Sequence, residues 1–220
     1  MPLTVIRLTF FPATALIRRI SGIVGIALIY ASLARIGLVL DPVGGFATVV
    51  WAPTGVGIAA VLLGGWWLAA GVFLGALSAN LLTGAPAGTA TLIAVGNTLE
   101  ALAAVVALRR ISWFDPKLER VNDTLVFALV AVLAPVISAS VGVMALRAAD
   151  IVVPTEIWRA WRAWWLGDAI GALVVAPLIL GWALLDARDL VSRMKEGLVL
   201  LATLAVVSAI VFFAGTPARG

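Results

Sequence analysis

The residues with the clearest chemical potential form one strip, Trp164-Trp165-Leu166-Gly167-Asp168-Ala169-Ile170-Gly171. The surrounding segment, 151–185, otherwise has almost the composition of a membrane span. A carboxylate at that depth needs a cationic partner, a water-filled cavity or a proton. Asp168 is therefore the first candidate for a functional side chain.

Aromatic side chains surround this aspartate on the predicted helix. Trp161, Trp164, Trp165 and Asp168 share one broad face at helical spacing. Aromatic rings beside a carboxylate can form the wall of a cavity for an organic or cationic ligand. The pattern equally fits an interfacial tryptophan belt that runs down to an acidic packing residue. Pro177, further along, is predicted to kink this helix because it lacks a backbone donor.

A second buried acid lies in Gly96-Asn97-Thr98-Leu99-Glu100. Asn97 and Glu100 are three residues apart and share a helix face. An acid at the centre of a spanning helix costs roughly 2.5–3.5 kcal/mol, and one interhelical hydrogen bond returns only about 0.6. Glu100 is therefore expected to be protonated, paired with a cation or exposed to a polar cavity. A ligand, proton or signalling role and a purely structural polar clamp both remain open.

The segment Trp51-Ala52-Pro53-Thr54-Gly55 predicts an irregular start to another helix. Irregular backbone is not tolerated where it is exposed to lipid. The segment should therefore face protein or a cavity, with Pro53 in a packing role. Trp51 and Thr54 are candidate contributors to a site.

Two further polar side chains have alternative explanations. Arg35 lies near the outer end of the first apolar run, where it is expected to extend outward towards Asp41 or to bridge to Asp168. Asn80 either bonds across helices or caps the outer end of its helix, with capping preferred.

Small residues recur at helical spacing and predict close helix packing. Gly71 and Gly75 share a face of one predicted helix, and Gly96, Gly167 and Gly171 flank the two acids. We assign these glycines, with Pro53 and Pro177, to helix packing.

The elements that position these residues must be membrane helices. The 220 residues are 63% hydrophobic and 12% charged, against about 25% charged in a soluble domain. The chain lacks both Cys and His, which excludes thiolate chemistry and removes the commonest metal ligand and general base. No nucleotide-binding loop, catalytic triad or basic nucleic-acid tract is present. We expect no enzyme activity, cofactor, metal or nucleic-acid partner.

A membrane span needs about 20 apolar residues. The sequence predicts an all-α polytopic bundle of about seven spans, near 20–40, 47–63, 66–82, 88–108, 121–147, 160–185 and 197–214. A cytoplasmic N-terminus places ten basic residues inside and four outside, as the positive-inside rule requires. Residues 1–19 are predicted to be cytoplasmic or interfacial, 20–215 to form the membrane domain, and 216–220 to be a tail. A cytoplasmic output domain would require one further helix.

Four motifs in order resemble a bacterial sensor family. They are Trp51-Ala-Pro-Thr-Gly55, Gly71-Val-Phe-Leu-Gly75 with Asn80, Gly96-Asn-Thr-Leu-Glu100, and the Asp168 strip with Pro177. Together they are similar to the membrane-associated sensor domain, first of the MASE series, over about residues 20–215. The family pattern is drawn with eight helices, so this chain is expected to lack the last one and any output domain.

The resemblance implies an integral-membrane input module, which in this family usually precedes histidine kinase, diguanylate cyclase or phosphodiesterase domains. We therefore expect a bacterial inner-membrane protein of a two-component or cyclic-di-GMP system. Its expected partners are membrane lipid and either a cytoplasmic output domain or a partner membrane protein; the ligand is undefined. A small transporter or substrate-binding membrane subunit, and an accessory subunit of a larger membrane complex, are the alternatives.

Overall fold

Helices account for nearly all of the structure. The computed structural model describes residues 13–40 and 50–184, with isolated positions at 197, 199, 202 and 203. In this part of the chain the helices are α1 Ala13–Leu40, α2 Ala52–Gly64, α3 Ala69–Leu82, α4 Ala87–Arg109, α5 Val121–Leu133, α6 Pro135–Ala148 and α7 Ile157–Ala183, with 3-10 turns at Trp66–Leu68 and Pro154–Glu156. The predicted all-α class is confirmed. The predicted span 197–214 and Asp41 lie outside the described residues.

Four segments are long and apolar enough to cross a membrane: Thr14–Leu38, Ala87–Arg109, Val121–Ala148 and Pro154–Ala183. Their outer faces suit lipid. Val121, Leu125, Leu129 and Leu133 follow each other every four residues on α5 and are all exposed, whereas Phe127 on the same helix is buried. An apolar stripe of this length would be unfavourable in water. The chain is an integral membrane protein.

The helices at two of the predicted spans are shorter than a full crossing. α2 has 13 residues and α3 has 14, preceded by the turn Trp66–Leu68. At 1.5 Å per residue, α2 is about 20 Å long, against about 30 Å for the hydrocarbon core. The helix is therefore about 10 Å shorter than a full crossing.

A break divides the predicted span 121–147 into α5 and α6. It falls at Ala134, immediately before Pro135, which has no backbone N–H to donate to the preceding turn. The Val132 carbonyl next to this break accepts a 2.8 Å hydrogen bond from the Trp165 indole. By contrast, α7 continues as one helix through Pro177.

The core is built from helices that approach closely through glycine. α3 packs between α1 and α4, α4 packs also against α6, and α2 contacts α1 and α4. A Cβ built on Gly71 would lie 2.7 Å from the Ile23 carbonyl of α1, and one on Gly96 would lie 3.0 Å from Val141 of α6. These positions bring the helices carrying the polar residues into contact.

The connection from α4 to α5 contains no helix. Asp115-Pro116 has the pattern of an N-cap followed by proline, which predicts a short interfacial helix. Instead, the Asp115 carboxylate accepts a hydrogen bond from the Lys117 amide in a local turn. Asp123, buried at the start of α5, accepts an ion-pair hydrogen bond from Arg120 at 2.6 Å. This carboxylate raises the pKa of Arg120 above its ordinary value. The turn is held by side chains instead of helix hydrogen bonds.

Candidate functional site

Asp168 is the centre of a buried polar cluster. Its side chain is almost inaccessible, and α7 places it near the middle of the segment Pro154–Ala183. The Thr54 hydroxyl of α2 donates to Oδ1 at 3.0 Å, and the Ser138 hydroxyl of α6 donates to Oδ2 at 2.7 Å. One carboxyl group therefore joins three helices that are far apart in the sequence.

The start of α2 rests directly on the backbone of α7. The Trp51 amide donates to the Gly167 carbonyl at 2.9 Å. A Cβ built on Gly171 would collide with the Trp51 carbonyl, and one on Gly55 would lie 2.5 Å from the Gly171 carbonyl. Only glycine permits this approach, so Gly55 and Gly171 allow the α2 N-terminus to reach Asp168. The positive end of the α2 dipole favours negative charge at this point.

Pro53 lies at the same crossing. It is buried in the first turn of α2, where a residue without an N–H leaves no unsatisfied donor. Thr54 follows Pro53, and its hydroxyl reaches the Asp168 carboxylate from this first turn. The predicted irregular start of α2 is thus covered by protein, as the cost of exposing backbone to lipid requires.

Glu100 lies beside this centre without hydrogen-bond partners. Its carboxyl is close to both Ser138 and Asp168, and its side chain is 1% exposed. Among the described residues no group donates to either Glu100 oxygen, and the Oδ1 atom of buried Asn97 is also without a partner. The α4 side of the cluster therefore presents buried acceptors that no donor reaches within the described structure.

Tyr30 of α1 completes the cluster and was not predicted from the sequence. It is buried at 1% exposure within electrostatic range of Asp168 and Glu100. Its ring enters beside Gly75, where a Cβ would lie 2.6 Å from the Tyr30 Cβ. The hydroxyl lies near the Trp51 side chain but forms no hydrogen bond within the described structure.

The tryptophans of α7 divide between the cluster and its surroundings. Trp164 lies beside Asp168 and covers Gly142 of α6 with its ring. Trp165 donates instead to Val132, and Trp161 donates to Ser140 at 3.1 Å. Trp161 also stacks between Trp158 and Trp165. Of the predicted aromatic wall, only Trp164 is next to the acid.

Two predicted site residues lie elsewhere. Arg35 donates to the Leu82 carbonyl at 3.5 Å, so the predicted alternative of a bridge to Asp168 is wrong. Asn80 donates to the Ala76 carbonyl at 2.8 Å within its own helix, so it does not bond across helices. Both side chains lie at the C-terminal end of α3, which Arg35 reaches from α1, and neither takes part in the cluster.

Ser138 was also missed, because its position on α6 carries no motif. The nearby Pro135 is visible in the sequence, but in the structure it marks the break between α5 and α6 rather than a site. Within residues 13–40 and 50–184, no group of three or more acidic side chains is placed to hold a metal ion. The cluster can bind a proton, a donor group or a single positive charge, since its unpartnered atoms are mainly acceptors.

A family comparison agrees with this geometry. A family model, MASE1, matches residues 23–218, which include every residue of the cluster. The chain belongs to the MASE1 family. The match confirms the resemblance predicted from the sequence. MASE1 is a family of membrane sensory domains. No curated protein matches the chain, and no solved structure matches it.

MASE1 membership gives the cluster its context. All four motifs that carried the resemblance contribute to or adjoin the polar centre: Trp51 and Thr54, Gly75, Asn97 and Glu100, and Gly167 to Gly171. Buried polar groups are costly in a membrane domain and are therefore candidates for a functional site.

Proposed function

We propose that this MASE1 domain is a sensory input module of a bacterial signal-transduction system. It would detect its signal at the cluster formed by Tyr30, Thr54, Glu100, Ser138 and Asp168, and pass it on by helix repacking. The proposal rests on the two hydrogen bonds that Asp168 accepts from Thr54 of α2 and Ser138 of α6. Through them, one carboxyl group connects α2, α6 and α7.

The proposed mechanism depends on the hydrogen bonds that connect the three helices at Asp168. Any change of charge, proton or hydrogen-bond partner at Asp168 changes its interaction with Thr54 and Ser138 together. Packed helices adopt discrete arrangements rather than deforming continuously, so a small local change can select between two packings. A signal acts by stabilising one packing more than the other, by the difference in its affinity for the two.

The wider setting is part of the same proposal. We place the domain in the bacterial inner membrane with its N-terminus in the cytoplasm and about seven crossings, of which α2 and α3 provide two short ones. The signal would be a small molecule, the state of the membrane or a partner protein. The output would be a histidine kinase or a cyclic-di-GMP enzyme, in a cytoplasmic output domain or a partner membrane protein.

The test replaces each acid by its amide in the gene at its own locus. We expect Glu100→Gln and Asp168→Asn to alter the signalling output, measured as response-regulator phosphorylation and cellular cyclic-di-GMP. The abundance of the protein in the membrane should be unchanged. Glu119→Gln, on an exposed residue outside the helices, is the matched control and should leave the output as it is.

An unchanged output in both variants would exclude the cluster from signalling. Substrate flux into liposomes that contain the purified chain would favour a transporter. A fixed membrane partner that co-purifies in mild detergent, with no change of output in either variant, would favour an accessory subunit.

A further inference from the structure

The two buried acids of the cluster have unequal surroundings. Asp168 accepts hydrogen bonds from Thr54 and Ser138 and lies at the N-terminal end of α2. Glu100 is equally buried but accepts none within the described structure. A negative charge is therefore stabilised on Asp168 and unsupported on Glu100.

No cation balances the pair in the described structure. The three ion pairs found there neutralise other acids, namely Asp123, Asp150 and Glu156. Two adjacent carboxylates in an apolar interior would repel each other strongly, since the low dielectric does not screen them. One positive charge or proton is needed for the packing seen here.

A further acceptor on α4 is also without a donor. The Asn97 Oδ1 atom is buried and unpartnered in the described structure. The Tyr30 hydroxyl, which can donate or accept, is unpartnered too and lies within electrostatic range of both acids. Tyr30 is the only other titratable group that faces the pair among the described residues. α2 and α6 contribute Thr54 and Ser138, which do not titrate in this range.

We propose that Glu100 and Asp168 together bind a single proton, carried by Glu100 and donated to the Asp168 carboxylate. A proton supplies the missing donor, neutralises one of the two charges and needs no additional volume in a close-packed core. Releasing it would place a second negative charge on the α4 side of the cluster. The resulting repulsion would act between α4 and α7 and would loosen the packing that Asp168 holds together.

The proton thereby becomes the ligand of the proposed sensory site, and its regulatory consequence rests on the proposed function. Binding of the proton itself does not depend on the proposed function. Proton binding is tested by a spectroscopic readout, whereas the sensory role is tested by the signalling output.

The experiment is infrared difference spectroscopy of the purified full chain in liposomes at neutral pH. We expect one carbonyl band of a protonated carboxylic acid that shifts in heavy water. Glu100→Gln should remove the band, because its amide replaces the donor and leaves Asp168 ionised. Asp168→Asn should retain the band at a shifted frequency, since Glu100 keeps its proton but loses an anionic acceptor.

Matched controls and a second measurement keep the assignment falsifiable. Glu119→Gln and Asp150→Asn make the same chemical changes at exposed positions and should leave the band unchanged. If a cluster variant does not fold, titration of the band in the wild-type chain still tests the proposal. The band should disappear in one alkaline step as one proton is lost.

Two results would overturn the assignment. A wild-type chain without the band at neutral pH, or a band that persists in Glu100→Gln, would show that Glu100 does not carry a proton. A band that appears only when sodium and potassium are replaced by a bulky organic cation would assign the site to a metal cation. If the band behaves as expected while signalling in Glu100→Gln is unchanged, the proton site stands and its sensory role does not.

Discussion

The free-energy cost of burying the Asp168 side chain in the membrane is partly offset by its hydrogen bonds. An acid at the centre of a spanning helix costs roughly 2.5–3.5 kcal/mol, whereas an interhelical hydrogen bond returns about 0.6 on average. The two hydroxyl bonds from Thr54 and Ser138 therefore offset less than half of that cost. The dipole of α2 contributes a further part, typically about 0.3–1 kcal/mol at a helix end. The site consequently retains an energetic strain that a ligand or proton can relieve.

Removing the Thr54 hydroxyl tests how much its hydrogen bond to Asp168 contributes to stability. Thr54→Val keeps the side-chain shape but leaves Asp168 Oδ1 without its donor. A buried acceptor left unpaired costs about 1–3 kcal/mol, so the free energy of unfolding in detergent should fall by about that amount. The measurement is equilibrium unfolding followed by circular dichroism.

Thr98→Val is the matched control for this change. Its hydroxyl bonds only to the Ala94 carbonyl of its own helix, at 2.7 Å. It should cost less than about 0.5 kcal/mol, because the carbonyl keeps its helix bond. Equal losses in the two variants would mean that the Thr54 bond to Asp168 contributes nothing specific.

Between elements, the decisive contact is the crossing of α2 over α7. Backbone meets backbone there, because Gly55 faces Gly171 and the Trp51 amide donates to Gly167. Such a crossing brings the first turn of a short helix to the middle of a long one. It places Thr54 within hydrogen-bond distance of Asp168 without any long side chain between them.

Adding one methyl group at this crossing should separate the helices. Gly171→Ala places a Cβ against the Trp51 carbonyl, and overpacking of this kind costs roughly 1–3 kcal/mol or more. We expect a lower thermal unfolding temperature and a loss of the signalling output that depends on Asp168. Differential scanning fluorimetry in detergent measures the first effect.

The control for Gly171→Ala is Gly25→Ala, in the interior of α1. A Cβ there meets no atom within 4 Å. Alanine is the better helix former by about 0.5–1 kcal/mol, so this variant should unfold at the same or a higher temperature. A Gly171→Ala protein as stable as Gly25→Ala would contradict the close crossing.

For the whole molecule, the side of the membrane on which the N-terminus lies sets the direction in which each helix crosses. Alternating directions from a cytoplasmic N-terminus would place the α4–α5 connection inside and the α6–α7 connection outside. Arg120 and Lys117 lie in the first connection, and Thr155 lies in the second. The bias of basic residues towards one side supports this orientation.

Single-cysteine labelling tests the orientation directly, because the natural chain has no cysteine. Thr155→Cys should react with a membrane-impermeant maleimide in intact spheroplasts. Lys117→Cys, equally exposed in the structure, should react only after the membrane is permeabilised. The reverse pattern would place the N-terminus outside and would invert every proposed crossing.

Several features were predictable because they depend on local chemistry. Apolar runs and the glycine and proline breaks predicted the bounds of α3, α4 and α7 to within three residues. They also predicted α1 and α2, but α1 begins seven residues earlier and α2 five residues later than predicted. The position of Asp168 and Glu100 in apolar helices identified two buried acids, because charge in an apolar segment is costly wherever the helix packs. The break at Pro135 was missed, although the proline that causes it was visible, since proline within a span does not always interrupt it.

The partners of those acids were decided only by tertiary structure. Composition and spacing on α6 do not mark Ser138. Tyr30 is the chain's only tyrosine, but nothing on α1 shows which groups its hydroxyl faces, because a hydroxyl gains a role only from the helix opposite. Arg35 bonds to Leu82 rather than to Asp168 for the same reason. The sequence by itself determined that this is a helical membrane domain with two buried acids. The packing of glycine against backbone decided which hydroxyls reach Asp168 and left Glu100 without a donor, because such contacts form between residues far apart in the chain.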